Sequence, residues 1–360
     1  MPDYRHINVF YLTTEAGACV LWCPLDQIAT SEMNRGTSRR GMDYRVRQVT
    51  GRFALTLACS VALLWGSWGC SIRRFAVNRV GDALASGGST YASDDDLQLV
   101  GDALPFGLKL IESLLAESPR HRGLLQAACE GFTSYAYLYV HRPADELAVT
   151  DLEAAGRLRA RARRLYLRAH RYGVRALEVS YPGIGQRLET DPKATATGFR
   201  KRSEVPILYW TAASLGLAIS VSKNEAAMLA RLPEVEALLE RALELDESWQ
   251  QGTLHEFAIV FAAAKPGQTD YGKMEKHYRR ALELSQGKRA GLFVSYAEAS
   301  AVPRQDRQAF ESLLKQALAV DPDAYEAGRL QNIAARERAA WLLEHADEFI
   351  LPPPEGGEGQ

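Results

Sequence analysis

A chain of 360 residues with 43 Lys+Arg against 44 Asp+Glu is long enough to bury a sizeable core and carries almost no net charge. That balance excludes a nucleic-acid binder acting by bulk charge and a self-repelling acidic disordered chain. Of the five cysteines, Cys19, Cys23, Cys59, Cys70 and Cys129, just Cys129 lies beyond residue 70, which excludes a disulfide framework in the body of the protein. Cys19 and Cys23 have neither a second pair nor a histidine cluster to complete a zinc set, so no metal and no cofactor is expected. Alanine and leucine abound while alternating Val/Ile/Thr runs are scarce, a composition that leans towards helices.

Residues 1–41 have no helical or strand period and read as an over-long start, with translation beginning at Met42 or at Met33. Arg45, Arg47 and Arg52 then precede an apolar run of 16 residues, Phe53 to Trp68, which ends at Gly69-Cys70. The run is shorter than the roughly 20 residues that cross a bilayer as a helix, and it has the layout of a signal peptide over 42–69. Cysteine at position 70 is where a bacterial lipoprotein accepts its lipid: a thiolate takes the diacylglycerol, and the small Gly69 lets the backbone enter the peptidase. The alternatives are a short membrane anchor or simple secretory cleavage. Export to the periplasm is expected.

Residues 70–92 read as a lipid-anchored segment and turn, with Ser93 or Asp94 capping the next helix. From 93 to 350 the pattern is helix after helix, each roughly 12 to 25 residues, punctuated by Pro, Gly or Asn at places such as Ser118-Pro119, Arg142-Pro143, Lys265-Pro266-Gly267, Pro303 and Asp321-Pro322. The tail 351–360, LPPPEGGEGQ, is expected to be disordered.

The helices recur. IESLLAESP, GVRALEVSYPG, LERALELDESW, YRRALELSQG and LKQALAVDPDA place Ser113, Ala176, Ala242, Ala281 and Ala317 in one register. Steps of 39 and 36 residues separate the last three, and the earlier steps of 63 and 66 are close to two units. A period near 34 with a small residue and an Asp-Pro ending is a degenerate tetratricopeptide pattern. The fold class expected is therefore all-α: helical hairpins stacked into a curved superhelical array, each burying its apolar faces against its neighbours.

No catalytic set emerges. His255-Glu256 is followed by Ile259 where a zincin needs histidine, and Gly183-Ile184-Gly185 lacks both a preceding strand and the third glycine. Arg157, Arg161, Arg164, Arg168 and Arg171 form a stripe along one helix, with Leu158, Leu165 and Tyr172 placed on its other side; it is a solvated face or a docking surface for an acidic partner. Tyr135, Tyr137 and Tyr139 form one aromatic cluster. Tyr209 and Trp210 lie in another, on a segment free of charge for 18 residues after Glu204 and too apolar for a surface element. Aromatic side chains of this kind are core by default, yet their polar tips can aim at a ligand. His255, Glu256, Tyr296, Glu298, Arg329 and Asn332 lie on later helices and can reach the same concavity.

The segments VPILYWTAASLGLAI, LHEFAIVFAAAKPG, HYRRALELSQG, YAEASAVPRQDRQAFESLLKQALAVDPDA and RLQNIAARERAAWLLEHADEFI, in that order, resemble the TatT family, the tetratricopeptide-containing T components associated with TRAP transporters. The resemblance covers roughly Cys70 to Ile350. It implies a periplasmic lipoprotein anchored through Cys70, forming a homo-oligomer (a trimer) around a cavity or pore and docking with the transporter's periplasmic solute-binding protein. Ser71 then favours the outer membrane over the inner. The implied mechanism is capture and hand-off of a small organic acid or apolar ligand, with Tyr209, Trp210, His255 and Asn332 as ligand-binding candidates. The competing expectation is a repeat scaffold organising an envelope complex without binding a small molecule.

Overall fold

In a computed structural model of the chain, the structure describes residues 77–84 and 88–351. The signal peptide, Cys70 and the tail beyond Leu351 lie outside these residues. Among the described residues every regular element is helical. Ten principal helices order the chain: α1 Leu97–Glu117, α2 Arg122–Ala136, α3 Leu152–Ser180, α4 Val205–Ser220, α5 Leu232–Asp246, α6 Thr253–Ala264, α7 Tyr271–Ser285, α8 Ala290–Tyr296, α9 Arg307–Ala319 and α10 Arg329–Glu344. Shorter helices, 77–84 and Gly88–Ala92 among them, fill the connections.

The helices pack in two layers. In the first, α2, α4, α6, α8 and α10 each touch the next. In the second, α3, α5, α7 and α9 each lie against the first-layer helix before them and the one after. This alternation is how a stacked hairpin array buries both faces of every unit. Ala176, Ala242, Ala281 and Ala317 fall on the four second-layer helices and are buried, so the recurring small residue marks the seam where paired helices approach. Ser113, placed in the same register, is exposed and its hydroxyl bonds back to the Lys109 carbonyl at 3.0 Å. Its helix, α1, packs against α2 and, through Val100 and Leu104, against Leu330 of α10, and Ser113 belongs to neither contact cluster.

Local chemistry sets the helix ends. The cap of α1 is Asp96, whose carboxylate accepts from Leu99 N at 2.9 Å, and not Ser93 or Asp94; Asp94 instead accepts from Asp96 N at 2.8 Å. Asp151, Asp270 and Asp306 cap α3, α7 and α9 in the same way. The charge-free α4 is apolar all round because α2, α3, α5 and α6 all contact it, and Ile207, Leu208, Leu215 and Ile219 are fully buried. One core runs from α1 to α6 and a second joins α8, α9 and α10 through Phe293, Phe310, Leu314 and Leu342.

Two first-layer helices slip their hydrogen-bond ladder. The α2 helix continues through a π segment, Tyr137–His141, into Arg142–Leu147, and α8 continues through Ala297–Ala301 into Val302–Arg304. Arg142 N–H reaches Tyr137 O and Val302 N–H reaches Ala297 O, each one residue further back than an α-helix allows. A proline follows at once in both, Pro143 and Pro303. Its ring would crowd the carbonyl four residues back, and widening the turn relieves that contact.

Helix α3 crosses α4 at Gly173, where a Cβ would meet Thr211 Oγ1 at 2.4 Å and Cys129 Sγ at 3.0 Å. Gly156, on the same helix, has open space at that position. Gly173→Ala is expected to cost about 1–3 kcal/mol through overpacking, whereas Gly156→Ala gains up to about 1 kcal/mol from helix propensity. Chemical unfolding midpoints of the two variants check this; a neutral Gly173→Ala would show that the crossing has slack.

Candidate functional site

The two π segments carry the residues that meet at the centre of the first layer. Tyr137 is 45% exposed to water, yet burial is the main cause that pushes its hydroxyl up to about 12, and Glu298, Arg338, Glu256 and Arg142 all act on it. A side chain both wetted and enclosed by charges from α6, α8 and α10 lines a recess between the helices. It does not lie on the outer surface.

Two guanidiniums flank that recess. Arg338 of α10 is 9% exposed and donates to Glu298 Oε1 through Nη2 at 2.7 Å and Nε at 3.2 Å. Its plane lies 4.7 Å from the Trp341 ring. Its Nη1 is 3.7 Å from Glu146 and makes no hydrogen bond. Arg289, just before α8, donates to Glu256 Oε2 through Nη2 at 2.8 Å, and Ser295 donates to Glu256 Oε1 at 3.2 Å. Gly291 leaves room for that carboxylate, since a Cβ there would stand 2.9 Å from Glu256 Oε1. Burial opposes the charge on both arginines, and their carboxylate partners more than offset it, so both are held firmly cationic.

Aromatic rings form the neighbouring wall. Tyr209 lies 4.8 Å from Trp210, 4.9 Å from Trp249 and 5.9 Å from Phe257, and burial followed by Glu256 raises its hydroxyl far above the usual tyrosine range. Glu130 of α2 also acts on Tyr209. Burial pushes the Glu130 carboxyl up to about 7, and it makes no hydrogen bond or ion pair.

The residues predicted as ligand contacts divide. Tyr209 and Trp210 adjoin the recess. His255 is turned into the seam between α6 and α7, with Nδ1 2.8 Å from His277 Nδ1 and Nε2 3.2 Å from Glu247. Burial lowers both imidazoles, His277 to about 4, so one neutral ring donates to the other. Among the described residues no three His, Cys, Asp or Glu side chains converge as a metal site. Asn332 is buried and fully engaged: Oδ1 accepts from Ala290 N and Nδ2 donates to Lys288 O, each at 2.9 Å, which fixes the start of α8. Tyr296 stacks on Tyr278 at 4.1 Å, Arg329 donates to Ser93 O at 3.1 Å, and Tyr139 donates to Leu97 O at 2.8 Å; all three serve the fold.

The sequence did not single out Arg338, Arg289, Glu146 and Glu130, which lie around Tyr137 and Tyr209. A signal for the pairing exists in the repeated SYA at 134–136 and 295–297, each followed by a proline, Pro143 and Pro303. It marks the two π helices as equivalent. The basic stripe on α3 is present on the outer side of the molecule, but Leu165 and Tyr172 line it together with the arginines instead of lying opposite. Four residues along a helix turn through about 40° more than a full circle, which keeps Tyr172 on the side of Arg168.

A sequence model of the family described as TRAP transporter T-component matches residues 93–350, the whole of the principal helical array. A protein of Treponema pallidum (strain Nichols), described as an uncharacterized protein, is 30% identical over 326 residues, covering 85% of this chain and 98% of its own. Stacked helices, a recess lined by facing helices and a match across the entire array lead to one conclusion: the chain belongs to the TRAP transporter T-component family and is an accessory component associated with TRAP transport.

Proposed function

We propose that this protein is a periplasmic lipoprotein that docks with a TRAP-type solute-binding protein and takes a small organic acid into the recess between its first-layer helices. The observation that supports the ligand is Arg338: a buried guanidinium with one amino group lacking a hydrogen bond, beside the wetted Tyr137. A carboxylate seated on that group satisfies it with a charge-assisted bond, while Tyr209, Trp210 and Trp249 accept the apolar body. Protonated, the partnerless Glu130 can donate to the same ligand. The array carries the partner surface, a homo-oligomer (a trimer by resemblance) encloses the path, and a lipid on Cys70 holds the assembly at the outer membrane. The work is capture and hand-off, without bond-making chemistry.

The partner is tested by pull-down of the native protein, expressed from Met42, in gentle detergent. Recovery of a TRAP-type solute-binding protein in fixed stoichiometry is expected; recovery of envelope assembly proteins without one would leave a repeat scaffold. For the ligand, thermal unfolding is measured across a series of small mono- and dicarboxylates. At least one should raise the midpoint of the wild type by a few degrees and leave Arg338→Gln unmoved; a shift of equal size in both would remove Arg338 from the site.

Glu130 gives a pH test. Its carboxyl titrates near 7 when folded and near its ordinary value of 4.5 when unfolded, so between those values the native state binds more protons and stability falls as pH rises. Glu130→Gln abolishes that loss. The variant should match the wild type at or below about pH 4.5 and exceed it by about 1–3 kcal/mol above pH 7, read from unfolding curves at the two pH values.

A further inference from the structure

On the outer side of α3, Arg161, Arg164, Arg168, Arg171 and Arg175 line a groove of about 670 Å³ together with Leu165 and Tyr172. A carboxylate beside it, Glu112, is already engaged: Lys109 donates to it at 2.8 Å, Tyr172 at 2.6 Å, and Arg168 pairs with it. Burial works against the Glu112 charge and these three donors hold it below the usual range, so Glu112 is spent within the fold. Three arginines are braced on rings: Arg168 at 4.7 Å from Phe132, Arg175 at 5.3 Å from Tyr172 and Arg161 at 5.8 Å from Tyr135. Arg164 and Arg171 are exposed and, among the described residues, make no hydrogen bond or ion pair. The groove thus presents a row of cations, three of them pre-positioned by aromatic stacking.

The groove opens where the chain leaves the described domain. Arg175 donates to Pro119 O at 3.1 Å, beside the exposed Arg120. Next to it, Ser118 donates to Asn78 Oδ1 at 2.8 Å and His121 Nε2 lies 3.3 Å from Asn78 O, which ties helix 77–84 to the same end. Cys70 precedes residue 77 by seven residues, at most roughly 25 Å of extended chain. A lipid there keeps helix 77–84, and with it this end of α3, within reach of the bilayer. Arg73 and Arg74 add charge between Cys70 and that helix.

We propose that the arginine groove of α3 rests on anionic phospholipid, its guanidiniums taking headgroup phosphates, and so adds an orienting contact to the lipid anchor. One acyl-bearing terminus holds the protein to the membrane, and the groove sets which way it faces. The orientation rests on the lipoprotein reading; the phosphate chemistry does not.

The test separates the two. The chain beginning at residue 70, whose described core lies wholly within it, is made with Cys70→Ala so that no acyl chain contributes. Its co-flotation is measured with phosphatidylethanolamine vesicles and with vesicles that also contain phosphatidylglycerol. Binding to the anionic vesicles alone, weakening as salt rises, is expected. The double variant Arg164→Gln/Arg171→Gln, which touches no contact in the structure, should bind about 25-fold more weakly at about fivefold per arginine, and the double lysine variant should retain binding. No binding to anionic vesicles, or equal binding by the glutamine variant, overturns the proposal. So does capture of an acidic protein partner by the groove without vesicle binding. The pull-down from the native membrane is read independently of each outcome, since it uses Cys70 and the partner.

Discussion

Arg142 closes the first helix layer on itself. Its guanidinium reaches from the start of the Arg142–Leu147 continuation of α2 to α10, donating to Ala334 O at 2.7 Å and to Glu337 at 3.2 Å, while Glu146 accepts from its Nε at 3.1 Å. Val100 and Leu104 of α1 pack with Leu330 of α10 beside it, and Arg329 donates to Ser93 O. An array left open between α2 and α10 would offer a groove in bulk water. With this contact made, Tyr137 stays exposed to water, while the pairs Arg338–Glu298 and Arg289–Glu256 hold their arginines largely buried between helices.

Such pairs are poor stabilisers. Removing two charges from water costs nearly what their attraction returns, and a well-packed apolar pair would hold the helices as well. Their value lies in geometry. Arg338 Nε and Nη2 are fixed on Glu298, which leaves Nη1 aimed without a hydrogen bond beside Glu146. The π segments contribute in the same sense: by slipping the ladder before Pro143 and Pro303 they re-aim Tyr137 and Glu298 relative to a regular helix. Two prolines that appear to be mere punctuation thus set the orientation of the recess.

The all-helical class and the second-layer seams were legible because they are local: Ala176, Ala242, Ala281 and Ala317 repeat within their own helices, and α4 announces its burial by having no charge. Caps were legible in kind but not in place, since any of the polar residues from Ser93 to Asp96 offers an oxygen and the backbone decides which one is used. The recess was not legible. Arg338 sits in ARERAAW and Glu298 in YAEAS, each an ordinary polar helix residue by its neighbours, and across a separation of 40 residues nothing signals the pairing. His255 and Asn332 illustrate the complementary limit. A polar residue in an apolar helix signals a buried partner, but whether that partner is a ligand or another helix depends on distant chain, here His277 and the start of α8.

The two arginine populations obey one rule with opposite outcomes. Inside, burial makes an unpaired guanidinium too costly, so Arg338 and Arg289 are each matched by a glutamate from another helix, and Nη1 of Arg338 is left without a hydrogen bond. Outside, on α3, water tolerates unpaired cations, and rings brace them in place of carboxylates. A solvated face that needed charge merely for solubility would intersperse acids, which costs nothing and gains weak pairs. This face instead engages Glu112 from three sides and, among the described residues, leaves Arg164 and Arg171 unmatched. Charge is separated in this way, paired between helices within and cationic along the groove of α3, and each arrangement fits the anion proposed for it above.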